Sequence, residues 1–287
     1  MTRRELFRLR KRSVAHLRRA AVILALVFAV VLMVCGCLYI AEHLFQKDDK
    51  IEASKTPDNE NPSNEDPDLG QITIPEPDSV EVTNTQIKNT YNYEYVKPDA
   101  SGLSIVLDAG HGGIDGGTEG VGNQGILEKN VNLEITQKVT ALLKDAGANV
   151  TPTRDTDEYV DLAERTTIGN RTGASLFVSL HCNFYEGDSS IDGLEIYYHR
   201  NSNKSKGYAE TMIQLLKDAN STVHIRNASQ QNMQVLRNSS IPAIMIEMGF
   251  LSNPEECASL TDPLYQEFLS RMITSSIVET LKTTTTQ

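Results

Sequence analysis

Cysteine is scarce in this chain, and basic charge is scarce once the first twenty residues are passed. Of the four cysteines in 287 residues, Cys35 and Cys37 fall inside an apolar run, while Cys182 and Cys257 stand far apart. That spacing argues against a disulfide framework and against a cysteine-based zinc site. Beyond residue 100 the chain carries 14 Lys/Arg against 23 Asp/Glu, a net charge of −9, which leaves nucleic acid without an electrostatic footprint. Internal repeats are also missing, so a solenoid is not expected.

Long hydrophobic runs are missing too, with one exception. Ala20 to Ile40 holds 21 residues without a charge, and at 1.5 Å per residue it spans about 31 Å, close to the apolar thickness of a bilayer. Eight Lys/Arg precede it against the single acid Glu5, so the basic flank is expected to stay cytoplasmic. The expectation is a basic cytoplasmic tail over 1–19 and a transmembrane signal anchor over 20–40, single-pass in the cell membrane, with the rest of the chain extracytoplasmic. The competing reading is cleavage, because Val34-Cys-Gly-Cys37 resembles a lipoprotein signal; the product would then be a lipoprotein or a secreted protein.

Residues 41–100 read as an acidic, proline-rich disordered tether. From 48 to 100 there are 13 Asp/Glu against four Lys, and six of the ten prolines. Such a segment buries too little apolar surface to offset its ordering entropy. Residues 101–287 read as one globular domain. Leu127, Val131, Ile135, Val139, Leu142 and Leu143 recur at helical spacing up to Gly147. A short strand at 149–153 and a helix near 161–170 precede a strand running into His181. Strand 193–199, a helix through Tyr208, Met212, Ile213 and Leu216, and strands at 232–237 and 243–250 follow. A last helix runs from about Pro263 to Leu281, with Phe268, Leu269, Met272, Ile273 and Ile277 facing the sheet. Alternation of this kind predicts an α/β fold with a mostly parallel or mixed central sheet and helices on both faces.

Three apolar runs end on polar residues of the same kind. Ser104-Ile-Val-Leu-Asp-Ala-Gly-His-Gly-Gly113 delivers His111 between glycines, Ser175-Leu-Phe-Val-Ser-Leu-His181 delivers a second histidine, and Ala243-Ile-Met-Ile-Glu247 delivers a carboxylate. Ligands in α/β proteins gather past the carboxyl ends of such strands. Glu128 opens the helix after the glycine-rich loop, where an acid also suits the helix dipole. His111, Glu128 and His181 together match a catalytic zinc set of two imidazoles and a carboxylate with one position left open. Glu247 is costly to bury unpaired, but beside a metal centre that activates water it becomes a general base and then an acid. Asp108 either orients His111 or caps a nearby loop. Cys182 follows His181 on its strand and points the other way, as a small core residue.

These residues carry a resemblance. Val106-Leu-Asp-Ala-Gly-His-Gly-Gly113, Glu128-Lys-Asn-Val-Asn132, Thr153-Arg-Asp-Thr-Asp157, Leu162-Ala-Glu-Arg165, Phe177-Val-Ser-Leu-His-Cys-Asn183 and Ile246-Glu-Met-Gly-Phe-Leu-Ser-Asn253 resemble the zinc-dependent N-acetylmuramoyl-L-alanine amidases of bacterial cell walls. The resemblance covers nearly all of 103–283, in the family's order. It implies a phosphorylase/hydrolase-like α/β fold, Zn2+ held by His111, Glu128 and His181, and Glu247 as the catalytic glutamate. The implied substrate is peptidoglycan, cut between the muramic acid lactyl group and L-alanine. Arg165 and Asn183 match recurring family positions as scaffold or rim. The chain departs from the family at Cys182, where alanine is commoner, and at 224–231, where a glycine-containing turn is usual. Division-associated relatives insert a long regulatory helix between the second histidine and the catalytic glutamate. Here His181 and Glu247 are 66 residues apart, and strand and helix patterns use nearly all of them, so the site is expected not to be self-blocked.

Two other function classes fit part of the pattern. Non-haem iron oxygenases use a two-histidine, one-carboxylate set, but usually on β-barrels and without work for Glu247. A catalytically decayed peptidoglycan-binding module would keep the fold and lose hydrolysis.

Overall fold

The computed structural model describes residues 82–122, 125–219 and 222–285. The expected tail at 1–19, the anchor at 20–40 and the tether up to residue 81 lie outside the described residues. Among the described residues no helix is long and apolar enough to cross a membrane.

Six strands form one mixed sheet. They are β1 (Ser104–Ala109), β2 (Asn149–Pro152), β3 (Leu176–Asn183), β4 (Leu194–Tyr198), β5 (Ile225–Gln230) and β6 (Ala243–Phe250), in the spatial order β2-β1-β3-β6-β4-β5. All neighbours pair in parallel except β4 and β6, which run antiparallel. The central strands are continuous apolar runs because both faces are covered; every residue of β6 is buried.

Helices α1 (Asn84–Tyr91), α2 (Glu128–Asp145), α3 (Leu162–Thr172), α4 (Asn203–Asp218), α5 (Gln234–Arg237), α6 (Pro254–Leu260) and α7 (Pro263–Thr285) surround it. One face carries α2, α4 and α7, whose Val131, Ile135, Met212, Phe268 and Ile273 join Leu180, Cys182, Ile244 and Ile246 in the main core. Cys182 does turn inward as a small core residue. The opposite face is covered by α3 and α5 over a smaller cluster built on Val106, Phe177, Ala243 and Met245. The expected apolar face of α7 is buried at all five named positions. Past α2, Gly147 takes a φ of +95°, the left-handed turn that stops the helix.

Two expectations fail. Residues 82–100 do not continue the tether; they are a strap on the domain. Thr83 and Gln86 close a capping box at the start of α1, Ile87 is fully buried, and the Tyr91 ring stacks on Phe268 at 4.4 Å, with Tyr93 edge-on to the same ring at 5.5 Å. Acidic composition concealed this, because Ile87 and three spaced tyrosines suffice to dock the strap onto α7. The expected strand at 232–237 is instead a loop and the single turn α5. Val235 and Leu236 are adjacent and both buried, which a strand with alternating faces does not allow on a one-sided cluster. The strand lies earlier, at β5, where no residue is fully buried and no apolar alternation marks it. The short α6 was not foreseen, although Asn253 as N-cap and Pro254 at the first position announce it.

Ile87→Ala in the intact chain is expected to cost about 2–5 kcal/mol, read as a fall in Tm by calorimetry. An unchanged Tm would mean that the strap contributes nothing to the fold.

Candidate metal centre

The sheet brings His111, Glu128, His181 and Glu247 together. β1 ends in the loop that carries His111. That residue has a φ of +60°, a left-handed conformation that is strained for a residue with a side chain and that persists where the surroundings impose it. Gly110 beside it cannot be replaced without moving the site: a Cβ there would lie 2.2 Å from the His181 ring. Gly117 is equally constrained, since its Cβ would stand 2.6 Å from Glu128 Oε2.

Glu128 is the hub. It is 2% exposed, and its Oε2 lies 3.2 Å from His111 Nε2 while its Oε1 lies 2.9 Å from His181 Nδ1. One donor atom from each of the three residues lies within 4.8 Å of the others, and among the described residues this is the group that could hold a metal ion. The backbone N–H and hydroxyl of Thr118 donate to Oε2, and Cys182 N–H and Asn132 Nδ2 donate to Oε1. Burial works to raise the Glu128 pKa, but the hydrogen bonds and charges of His111 and His181 outweigh it and hold the carboxyl well below its ordinary value. Burial lowers the affinity of His111 for its proton, yet Glu128 and Asp115 lift its pKa to about 9. Asp115 Oδ2 sits 2.9 Å from His111 Nδ1 and so leaves Nε2 to face Glu128. A carboxylate behind a ligating imidazole fixes ring orientation and raises basicity.

Glu247 stands beside the centre, its position on β6 paired in register with His181 on β3. It is 7% exposed, and its Oε2 has no hydrogen-bond partner. Burial, joined by the charges of Glu128 and Glu195 and opposed by the two histidines, pushes its pKa up to about 7. Such a carboxyl is poised to take and return a proton near neutrality.

Asp108 neither touches the His111 ring nor caps a loop. It is fully buried, accepts from Thr153 Oγ1 and Ser179 Oγ at 2.6 Å each, and pairs with Arg165 Nη1 at 2.8 Å. Arg165 in turn donates to the carbonyls of Ala109 and His111, both at 2.6 Å. Arg154 donates to the carbonyls of Ala109 and Gly110. Two buried guanidinium groups therefore clamp the backbone that aims His111. Arg165 is scaffold of a specific kind, and Asn183 lies on the rim, donating to Glu195 Oε1 and Tyr197 Oη. Sequence reasoning missed Asp115, four residues after His111 in the glycine-rich loop, and gave Arg154 no role although it lies in a quoted motif.

Comparison with known proteins agrees with this geometry. The family model described as N-acetylmuramoyl-L-alanine amidase matches residues 105–279. The chain is 33% identical over 179 residues to the "Probable cell wall amidase LytH" of Staphylococcus epidermidis, covering 61% of this chain and 57% of that relative, so it spans little more than half of the relative's length. It is 32% identical over 179 residues to the "Uncharacterized protein YqiI" of Bacillus subtilis, covering 61% and 84%. Among solved structures, the N-acetylmuramoyl-L-alanine amidase AmiC2 of Nostoc punctiforme is similar with a TM-score of 0.58 at 35% identity, covering 63% of this chain and 99% of that one. The CwlD amidase of Clostridioides difficile, solved in complex with the GerS lipoprotein, is similar with a TM-score of 0.59 at 32% identity, covering 63% and 99%.

In the metal-free protein the His111–Glu128 pairing stabilises the fold fully below the ordinary imidazole value of 6.5, and that contribution is lost as pH rises through about 9. Loading a divalent ion near pH 7.5 is therefore expected to displace about one proton from His111, measured by calorimetry in buffers of different ionisation enthalpy. Enthalpies that do not depend on the buffer would rule this out. Asp108→Ala leaves the Arg165 charge buried and unpaired and is expected to cost about 3–5 kcal/mol, read by denaturant unfolding.

Proposed function

The chain belongs to the N-acetylmuramoyl-L-alanine amidase family, and from that premise we propose that it is a zinc hydrolase. Its substrate would be peptidoglycan, and the bond cut the amide between the lactyl group of N-acetylmuramic acid and L-alanine. The observation that carries this reading is the meeting of a buried Glu128 carboxylate with His111 and His181 beside the unpartnered Glu247 Oε2.

The donor set fits Zn2+. Two imidazole nitrogens and one carboxylate oxygen, each on a separate element, suit a tetrahedral ion with a position left over. When bound there, zinc supplies Lewis acidity to the scissile carbonyl and acidifies water. The remaining work falls to the chain. Asp115 holds His111 in the tautomer that presents Nε2. Glu247, whose Oε2 has no hydrogen-bond partner, would take the proton of the attacking water. It then delivers that proton to the amide nitrogen as the carbon–nitrogen bond breaks, so the peptide departs as an amine. A pKa near neutrality suits both halves of this exchange.

The decayed-module reading gains nothing from these contacts. An unpaired buried carboxylate is a stability cost, and a protein that only bound its ligand would be more stable without it. The membrane anchor over 20–40 belongs to the proposal as well: it would hold the amidase domain on the extracytoplasmic side within reach of the wall. Between β3 and β6 the described residues hold β4, α4, β5 and α5, and the one long helix there, α4, packs Tyr208, Met212 and Leu216 into the main core. The site is accordingly expected not to be self-blocked.

Mass analysis of peptidoglycan incubated with the zinc-loaded chain tests the reading: the expected products are stem peptides with a free N-terminal alanine. Glu247→Gln is expected to keep zinc and lose about 100- to 10 000-fold in hydrolysis; full activity in that variant would remove Glu247 from the mechanism. With zinc saturating, activity is expected to rise on an acid limb as Glu247 ionises. A nearby dication favours the carboxylate, so the limb should lie between 4.5 and about 7. A limb well above neutrality would point to another group.

A further inference from the structure

Beyond Glu247 the same sheet face continues onto β4 and β5, where Glu195 is half-buried and Arg226 partly exposed. Because β4 runs antiparallel to β6, its first residues reach the active end, and Glu195 stands directly opposite Glu247. Side chains so paired lie on one face with Cβ atoms about 4.5–5.5 Å apart. Tyr197 Oη and Asn183 Nδ2 each donate to Glu195 Oε1 at 2.8 Å. That pair of donors holds Oε1, and the contact of Oε2 is the ion pair with Arg226.

Arg226 comes next. The β4–β5 register shifts between Leu194 and Ile196, so an extra residue of β5 bulges at 226–227; bulges re-aim side chains. Arg226 Nε lies 3.6 Å from Glu195 Oε2, too far for a hydrogen bond, its Nη1 donates to Asp192 O, and its guanidinium packs over the Phe250 ring at 5.6 Å. The side chain stays 36% exposed. The other cations around the centre are committed elsewhere: Arg154 and Arg165 to backbone carbonyls, and Lys129 to Gly113 O and Asp157. Of these residues Arg226 alone falls in 224–231, where the chain departs from the family's usual glycine-containing turn.

An acceptor followed by a fixed cation complements a ligand that presents an N–H followed by a carboxylate. An acidic peptide presents these two groups on successive residues. We propose that Glu195 and Arg226 form the subsite for the departing peptide, Glu195 accepting the N–H of its first residue and Arg226 pairing with a carboxylate carried by the next. The assignment rests on the amidase reading and specifies which side of Glu247 the peptide occupies. Guanidinium–carboxylate pairing is directional and charge-assisted, so Arg226 sets a preference for acidic over amidated peptides.

The test uses the full zinc-loaded chain in detergent with two synthetic lactyl-L-alanyl dipeptides, one with a free carboxylate on the second residue and one with that group as carboxamide. The acid is expected to be favoured about tenfold in kcat/KM, mostly through KM. In Arg226→Gln the acid-to-amide ratio should collapse toward one, and Arg226→Lys should restore part of it. Calorimetric binding of the free product dipeptides should show the same order, and Glu195→Gln should weaken both by a similar factor. A wild-type chain that cleaves acid and amide equally well, or an Arg226→Gln variant that loses both alike, overturns the subsite while leaving the amidase reading intact. A wild-type chain that cleaves neither dipeptide and releases nothing from peptidoglycan overturns both.

Discussion

A buried carboxylate shared by two imidazoles is an expensive arrangement, and the domain is built around it. Glu128 accepts from Thr118, Asn132 and Cys182 in addition to its two histidine contacts. Those donors come from the loop before α2, from α2 itself and from β3. Desolvation alone would neutralise the group; polar contacts from five residues on three elements keep it ionised. The same contacts tie the loop, helix and sheet into one register. Remove the charge and His111 and His181 lose the group that draws them together.

The aim of His111 depends on a second layer of charge that never meets the site. Asp108 lies inside β1 and binds Arg165, and Arg165 with Arg154 holds three successive carbonyls, that of Ala109 at the end of β1 and those of Gly110 and His111 in the turn after it. Backbone carbonyls in a tight turn have no ladder partners, so buried donors must be brought to them. This explains why two arginines, Arg154 in the loop after β2 and Arg165 in α3, are buried in an acidic domain. It also explains how a residue with a side chain is kept at a φ of +60°: the turn is over-determined from behind.

Much of the centre was legible because apolar runs ending in His111, His181 and Glu247 state their own depth and direction. Glu128 was legible only as a choice between a dipole-stabilised acid and a ligand; its burial settles where it points. Asp108 was misread because a carboxylate near a histidine invites a direct bond, while its partner Arg165 lies 57 residues away along the chain. The strap was invisible for a different reason. Composition averages over a segment, but docking needs only a few well-placed side chains, and Ile87, Tyr91 and Tyr93 are enough. Strand β5 failed the periodicity test because it is an edge strand: with no fully buried residue, it has no reason to alternate.

Strand direction accounts for what was overlooked beside the site. The rule that ligands sit past the carboxyl ends of strands holds for β1, β3 and β6, which are parallel to one another. β4 is antiparallel to β6, and β5 follows β4 in parallel, so both present their first residues at that end and send their carboxyl ends, with His199 and Arg200, to the far side. A search past the end of β4 therefore looks in the wrong place, and Glu195, second in its strand, reads as an ordinary polar position. The reversal has a chemical consequence. β1, β3 and β6 bring their carboxyl ends to the centre, whereas the reversed β4 and β5 bring Glu195 and Arg226, each near the start of its strand, to its side.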